Sequence, residues 1–140
     1  MYAPLMRREV HLLCFDSRRR LLLLPGRRSG TGGVLTLPAV RRRECETYEQ
    51  AALRLLSNHS ARRGDVVAHA EIPLSPGGGR RQVRVYAAHA LAPDGNREAC
   101  WIPWRDAVRQ LEPLAIPEFA AFVEGYVEGW IPDGWITLGS

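Results

Sequence analysis

Residues 37–62 have the sequence LPAVRRRECETYEQAALRLLSNHSAR, and this segment decides the predicted fold. It begins as the end of a strand, passes through an arginine-rich loop and continues as a helix with Thr47 as its predicted N-cap. Side chains on one face of that helix recur at the i, i+3, i+4 spacing: Tyr48, Ala51, Ala52, Leu55, Leu56 and His59. A strand, a loop and a helix N-terminus suit anion binding, because the first-turn amides are unpaired and the helix dipole favours negative charge.

The segment resembles the Nudix box, the signature of a superfamily of hydrolases that act on nucleoside diphosphates linked to another moiety. That box reads Gly, five residues, Glu, seven residues, Arg-Glu, an aliphatic residue, any residue, Glu-Glu, any residue, Gly and an aliphatic residue. It aligns with residues 40–62, and the Leu-Pro at 37–38 matches the usual lead-in. Glu46 falls on the first glutamate, Arg54 on the arginine and Leu56 on the aliphatic position.

The box is degenerate at the positions that matter for a metal. Val40 and Ala61 replace its two glycines, Leu55 replaces the glutamate after the arginine, and Asn58 and His59 replace the Glu-Glu pair. Three carboxylates at these helical positions would converge on one divalent cation. A leucine, an amide and an imidazole lack those anionic ligands, so we expect no magnesium site, although an amide oxygen and an imidazole could still hold a softer ion. Leu55 is then either the floor of an apolar ligand site or part of the core.

The composition is that of one soluble globular domain spanning residues 1–140. Apolar residues make up 46% and charged residues 24%, which gives no sign of disorder. The net charge is +4, and all 19 basic residues are arginines. The arginine clusters at 18–20, 41–43 and 62–63 reflect either codon bias in a GC-rich genome or a grip on phosphate groups.

The cysteines and the apolar runs indicate the cellular compartment. Cys14, Cys45 and Cys100 are odd in number and show no C-x-x-C spacing, so they support neither a disulfide framework nor a zinc site. The N-terminus carries no signal-peptide pattern, and no apolar run is long enough to cross a bilayer. We therefore expect a reduced, cytoplasmic protein without a membrane anchor.

Runs of apolar and alternating residues predict a mixed sheet. The predicted strands are 9–15, 20–24, 34–37, 66–74, 82–91 and 98–104. The first two form a hairpin, and 27–33 and 94–95 are predicted loops. Gly64 is expected to terminate the box helix. His11 is predicted to be structural. His69, Glu71 and His89 lie either on a solvated face or in a shared cleft.

The C-terminal part predicts a short helix at 105–111 and a longer amphipathic one that starts at Pro117. The apolar stripe of the longer helix comprises Phe119, Phe122, Val123, Tyr126, Val127 and Trp130. Its glutamates Glu118, Glu124 and Glu128 are expected to face away. The tail at 135–138 is predicted either to add a strand or to contact a second subunit in a homodimer.

The predicted fold class is therefore α/β (α+β): a Nudix-like α/β/α sandwich with a mixed sheet, the box helix and the C-terminal amphipathic helix. The favoured function is a binding module with an eroded metal site that keeps a cleft for a nucleotide-like or other small ligand and needs no cofactor. The candidate ligand-binding residues are Arg54, Asn58, Leu55, Arg43, Trp101 and Trp104. The two tryptophans are either ring platforms or core residues.

The alternative is an active, divergent hydrolase that cleaves a phosphoanhydride in a nucleoside diphosphate derivative. Its candidate catalytic residues are Glu46, Glu49 and His59, with Glu118 or Glu124 as an outlying base. As the resemblance implies, standard members use Mg²⁺ held by box glutamates, so this alternative requires Mg²⁺ or Mn²⁺. Nucleic-acid binding rests only on scattered arginines and is disfavoured, because no base-reading motif is present.

Overall fold

A computed structural model describes residues 6–26, 35–74, 78–92, 97–111 and 118–138. In chain order the elements are β1 (Met6–Phe15), β2 (Arg20–Pro25), β3 (Leu35–Thr36), β4 (Ala39–Arg41), α1 (Tyr48–Asn58), β5 (Ala61–Leu74), β6 (Gly79–Ala90), β7 (Cys100–Pro103), α2 (Trp104–Gln110), α3 (Phe119–Glu128) and β8 (Gly134–Thr137). The predicted loops at 27–33 and 94–95 and the helix start at Pro117 lie outside the described residues.

The strands form one mixed sheet with the order β3-β2-β1-β6-β5-β8, in which β4 also pairs with β1 and β7 with β2. The pairs β1·β6 and β5·β8 are parallel, and the other pairs are antiparallel. The predicted tail strand is therefore confirmed as β8 at the edge of the sheet. Pro103 ends β7, which pairs only with β2 among the described strands, as expected for a proline-containing edge segment.

The predicted β1–β2 hairpin is confirmed, and Asp16 closes its turn. The Asp16 carboxylate accepts hydrogen bonds from the backbone amides of Arg18 and Arg20, both at 2.9 Å, and from Arg20 Nε at 2.7 Å. Arg19 takes a left-handed conformation with φ 59°. An aspartate that bonds amides two and four residues ahead is a common way to fix such a turn.

Helices cover both faces of the sheet. Alternate residues along a strand point to opposite faces, and in the covered strands both sets are apolar. On one face, α1 packs on a cluster of strand residues: Val10, Leu12, Cys14, Leu22, Val67, Tyr86 and Ala88. On the other face, α2 and α3 pack on a second cluster: Leu13, Phe15, Leu21, Leu23, Val66, Ala68, Val83, Val85 and Ala87. The α/β/α sandwich is thus confirmed. The alternation of apolar and other residues along 82–91 predicts a half-buried strand, but the second half of β6 is buried on both faces, with Tyr86 and Ala88 on one face and Val85 and Ala87 on the other.

Two further expectations are corrected. Trp130 is 63% exposed and does not complete the apolar stripe of α3, because Gly129 ends the helix in a left-handed conformation. Gly64 does not terminate α1, which ends at Asn58, but lies within β5 beside a register shift. A Cβ atom on Gly64 would sit 2.9 Å from the Tyr126 hydroxyl and 3.0 Å from the Ala87 carbonyl oxygen. The strand continues through this position because only glycine allows so close an approach.

Glu118, Glu124 and Glu128 are exposed, as predicted. Within the described part of the chain, no helix combines the length and the apolar character that a bilayer crossing requires.

Candidate functional site

The N-terminus of α1 is fixed by a reciprocal cap. The Thr47 hydroxyl accepts a hydrogen bond from the Gln50 amide at 3.1 Å, and the Gln50 side chain accepts one from the Thr47 amide at 2.8 Å. This capping box confirms Thr47 as the N-cap, and it sets the direction in which the arginine-rich loop enters the helix.

Glu46 ties that loop to the helix. Its carboxylate accepts two hydrogen bonds from the Arg54 guanidinium, at 3.1 and 2.9 Å, and one from the Arg43 amide at 2.9 Å. Arg54 also donates to the Arg41 carbonyl oxygen at 3.1 Å. The hydrogen bonds from Arg54, followed by that from Arg43, lower the pKa of Glu46 to about 2. A carboxylate that is so strongly bonded in its ionised form is a poor proton acceptor at neutral pH, so this geometry favours a structural role.

The helical positions that carry carboxylates in a Nudix box hold Leu55, Asn58 and His59 in this chain. Leu55 is 2% exposed and belongs to the core cluster beneath α1, and Val40 packs against the same cluster. Leu55 is therefore core and not an open floor. Asn58 is exposed and His59 is the C-cap of the helix. Across the described residues, no three His, Cys, Asp or Glu side chains are grouped so that they could hold a metal ion. The donors present do not fit Mg²⁺, which requires several oxygen ligands.

The other candidate residues are spread over the molecule. Glu49 accepts a hydrogen bond from the buried Tyr86 hydroxyl at 3.1 Å and pairs with Arg63. Glu49 and His59 are ten residues apart on one helix, which corresponds to about 15 Å. Trp101 packs on the α1 side of the sheet, whereas Trp104 packs on the α2 and α3 side. The structure therefore does not bring the tryptophans or the three candidate catalytic residues into one site.

A pocket of about 180 Å³ lies beside the first turn of α1, on the α1 face of the sheet. Its lining comprises Tyr48, His69, Ala70, Glu71, Gln82, Val83, Arg84 and Thr137. The strand register places Arg84, His69 and Thr137 in one row across β6, β5 and β8. Gln82 and Glu71 form the next row with Arg8 of β1. Directly opposed side chains on one face of a sheet lie close together, so these polar groups share one floor.

Tyr48 forms the wall of this pocket on the helix side. Its hydroxyl donates to the Gln82 amide oxygen at 3.1 Å, and its ring centroid lies 3.9 Å from the Arg84 guanidinium carbon and 5.3 Å from that of Arg42. Both distances fall within the range of cation–π attraction. Burial raises the pKa of Tyr48, and the charges of Arg84, Arg8 and Arg42 oppose that effect. Three guanidinium groups thus lie near Tyr48, and that of Arg84 lines the pocket.

The opposite side of the pocket is aromatic. The His69 ring lies 4.9 Å from the Trp135 ring, with 36° between their planes, and Trp135 is 69% exposed. Burial lowers the pKa of His69, and the positive charge of Arg84 lowers it further. The negative charge of Glu49 opposes these two effects, and the net lowering of the pKa favours the neutral imidazole ring that lines the pocket.

The predicted alternative of a cleft shared by His69, Glu71 and His89 is confirmed for two of the three residues. His69 and Glu71 line the same pocket, whereas His89 lies on the α3 side, with its Nε2 2.9 Å from the Tyr126 hydroxyl. The sequence reasoning did not select Arg84 or Trp135. Arg84 lies between Gln82 and Tyr86 on the face of β6 that α1 covers. Its partners in the pocket belong to α1, β5 and β8, which are distant in sequence, so no local pattern identifies it.

Comparisons with known proteins were made by sequence and by structure. No protein-family sequence profile matches the chain, and no curated protein matches it significantly. Solved structures do match. A NUDIX hydrolase from Nitrosomonas europaea is 19% identical with a TM-score of 0.68, and the match covers 94% of this chain and 93% of that one. The MutT protein from Methanosarcina mazei Go1 is 16% identical with a TM-score of 0.66, over 92% and 98% of the two chains. The Ap4A hydrolase of C. elegans is also 16% identical with a TM-score of 0.66, over 91% and 100%.

Proposed function

We propose that this chain, which has the Nudix hydrolase fold, is a ligand-binding protein with impaired hydrolytic activity and that its ligand is a small, nucleotide-derived molecule. The observation that carries the proposal is the burial of Leu55 in the core beneath α1, at a position where the box has a carboxylate. The neighbouring Val40 packs on the same cluster. The apolar core therefore takes one of the three helical positions from which acidic ligands would reach a cation, and Asn58 and His59 take the other two.

The expected loss of activity is large. A metal ion stabilises the charge that develops on a phosphoryl group by several kcal/mol, and each ~1.4 kcal/mol corresponds to tenfold in rate. Glu46 does not compensate, because Arg54 and Arg43 already occupy its carboxylate oxygens. We infer that metal-dependent cleavage by this chain is slower by orders of magnitude than in a protein with the full set of box glutamates.

The assignment of a nucleotide-like ligand has two supports. The similar structures include an Ap4A hydrolase, whose name gives a nucleotide derivative as its substrate. The pocket beside α1 combines guanidinium groups with aromatic rings, the two kinds of side chain that recognise phosphates and bases. A soluble small molecule is thus the proposed partner, and neither a membrane nor a nucleic acid is required.

The second candidate function is a divergent Mg²⁺- or Mn²⁺-dependent hydrolase. The hydrolase names of the similar structures favour it, and so does Glu49, whose side chain is about half exposed and is positioned by the Tyr86 hydroxyl. Here Glu49 would supply the carboxylate that activates water.

A hydrolysis screen separates the two functions. Nucleoside diphosphate derivatives are incubated with the wild-type protein, Glu49→Gln and Glu46→Gln in Mg²⁺ or Mn²⁺, and ligand-induced shifts in Tm are measured in parallel. We expect Tm shifts without turnover. Glu128→Gln, an exposed change on α3, is the control. Turnover that survives in Glu128→Gln and vanishes in Glu49→Gln would establish the enzyme instead. Loss in Glu46→Gln alone would indicate a loosened loop.

A further inference from the structure

We infer that the pocket between Tyr48 and His69 binds a phosphate group attached to a planar ring, and that it does so without a metal ion. This inference deepens the proposed function and rests on it for the choice of nucleotide-like ligands. The site is separate from the box positions, because Tyr48 is at the first turn of α1 whereas Leu55 and Asn58 lie about 10 and 15 Å further along the helix axis.

The first argument is uncompensated positive charge. Arg84 and Arg42 lie over the Tyr48 ring, and Arg8 is the register partner of Gln82 on the same face of the sheet. Among the ion pairs of the described residues, none joins these three arginines to a carboxylate. The carboxylates of α1 and of the adjoining strands pair with other arginines: Glu49 with Arg63, Glu71 with Arg80, and Glu9 with Arg81. An anion in the pocket would therefore meet the Arg84 guanidinium, which forms none of these ion pairs, while the Glu71 carboxylate in the same lining is paired with Arg80.

Arg42 lies next to Tyr48 but outside the pocket lining. One of its terminal nitrogens donates to the Glu46 carbonyl oxygen at 3.0 Å. Its Nε is buried and has no acceptor within the described part of the chain. Buried donors are normally satisfied, because a missing partner has a cost in free energy. Because this Nε is buried and Arg42 does not line the pocket, Arg42 contributes its positive charge, and Arg84 is the guanidinium placed to bind phosphate oxygens in pairs.

The second half of the site is a stacking surface. His69 faces Arg84 directly across the β5·β6 pair, so a group held by Arg84 lies next to the His69 ring. The Trp135 ring, on the edge strand β8, lies at a tilt against the His69 ring and leaves most of its own surface open to solvent. A base or another flat ring attached to the phosphate would extend over these rings, where stacking is favourable and tolerant of ring identity.

The pocket size restricts the ligand. A volume of about 180 Å³ is below the ~300–1,000 Å³ common for pockets that enclose a whole drug-sized molecule. It encloses one phosphate and the edge of one ring, and the rest of the ligand remains in solvent. The site therefore suits a monophosphate with a single ring system better than an extended polyphosphate.

Binding is measured by calorimetry and by tryptophan fluorescence in EDTA, with adenosine monophosphate, adenosine and inorganic phosphate as separate probes. We expect adenosine monophosphate to bind more tightly than either of the other two and to lose affinity as salt rises. Arg84→Gln is expected to weaken binding of adenosine monophosphate and of phosphate by about tenfold or more. Trp135→Ala is expected to weaken adenosine monophosphate about fivefold or more but to leave phosphate unchanged.

Two matched variants control for non-specific effects. Arg109→Gln removes an exposed arginine from α2 on the other side of the sheet, and Trp130→Ala removes the other exposed tryptophan near β8. Neither change should alter affinity by more than about twofold, an order-of-magnitude bound for surface sites away from the ligand. Equal affinity in Arg84→Gln and Arg109→Gln, or binding that appears only when Mg²⁺ is added, would overturn the inference.

A readout on the wild-type protein does not depend on the folding of any variant. A phosphate held between Arg84 and His69 places negative charge beside the imidazole and raises the pKa of His69. An NMR titration of the histidine ring protons should therefore show His69 moving to higher pH when phosphate or adenosine monophosphate is bound. An unmoved His69 titration at saturating ligand contradicts the site. Turnover in the hydrolysis screen would refute the proposed impairment but would leave this result in place, so the two failures are distinguishable.

Discussion

Replacing Leu55 by glutamate introduces, at a deeply buried position of α1, the residue type that a Nudix box has there. Leu55 is 2% exposed among apolar side chains of α1 and the sheet. Loss of its burial costs about 2 kcal/mol, and an ionised carboxylate without a partner costs several kcal/mol more unless it protonates. We expect a total destabilisation of about 4 kcal/mol or more, a large part of the ~5–15 kcal/mol that stabilises an ordinary domain.

Leu53→Glu on the same helix is the matched control, because Leu53 is 62% exposed and the chemical change is identical. It should alter the free energy of unfolding by about 0.5 kcal/mol or less. Urea unfolding of both variants is measured between pH 4 and pH 8. Burial raises the pKa of a carboxyl in the folded state, so the penalty in Leu55→Glu should grow as pH rises above the ~4.3 expected for an unfolded glutamate.

The same experiment is repeated with millimolar Mg²⁺. If position 55 belongs to the apolar core and not to a cation site, Mg²⁺ should not restore the stability of Leu55→Glu. Equal unfolding free energies for the two variants, or stabilisation of Leu55→Glu alone by Mg²⁺, would refute this reasoning. The first result would show that position 55 is open to solvent, and the second that it faces a cation site.

Three further substitutions test contacts that stabilise the sheet and the N-terminus of α1. Burial raises the pKa of Glu9, but hydrogen bonds from His11 and Arg81 outweigh this effect and lower the pKa to about 2. The ionised Glu9 therefore contributes on the order of 3 kcal/mol of stability above pH ~4.3, and this contribution is lost as pH falls toward 2. Glu9→Gln should remove it, as measured by acid titration of unfolding. Gly64→Ala should destabilise by about 1–3 kcal/mol in urea unfolding, because the new Cβ meets the Tyr126 hydroxyl and a backbone oxygen; an unchanged midpoint would show that the strand has room. Thr47→Ala should cost about 1 kcal/mol by removal of the helix cap, and Thr47→Ser should retain most of it.

Local signals predicted α1 well. Its cap at Thr47 and its apolar spacing depend on residues within one or two turns, and these contacts exist whatever the rest of the chain does. The β1–β2 hairpin was predictable for the same reason, since Asp16 closes the turn through its own neighbours. Gly64 was misread because its close neighbours, Tyr126 and Ala87, are distant in sequence and leave no local pattern.

Sequence patterns alone predicted the order of the elements other than β4, the two amphipathic helices and the lack of carboxylates at positions 55, 58 and 59. The tertiary structure decided that Leu55 is core and that Trp101 and Trp104 face opposite sides of the sheet. It also placed Arg84 opposite His69. The physical reason is that periodicity and capping are local, whereas strand register joins residues that are far apart in the chain. A shift of one residue in that register would turn Arg84 away from α1, so only the assembled sheet could show the pocket.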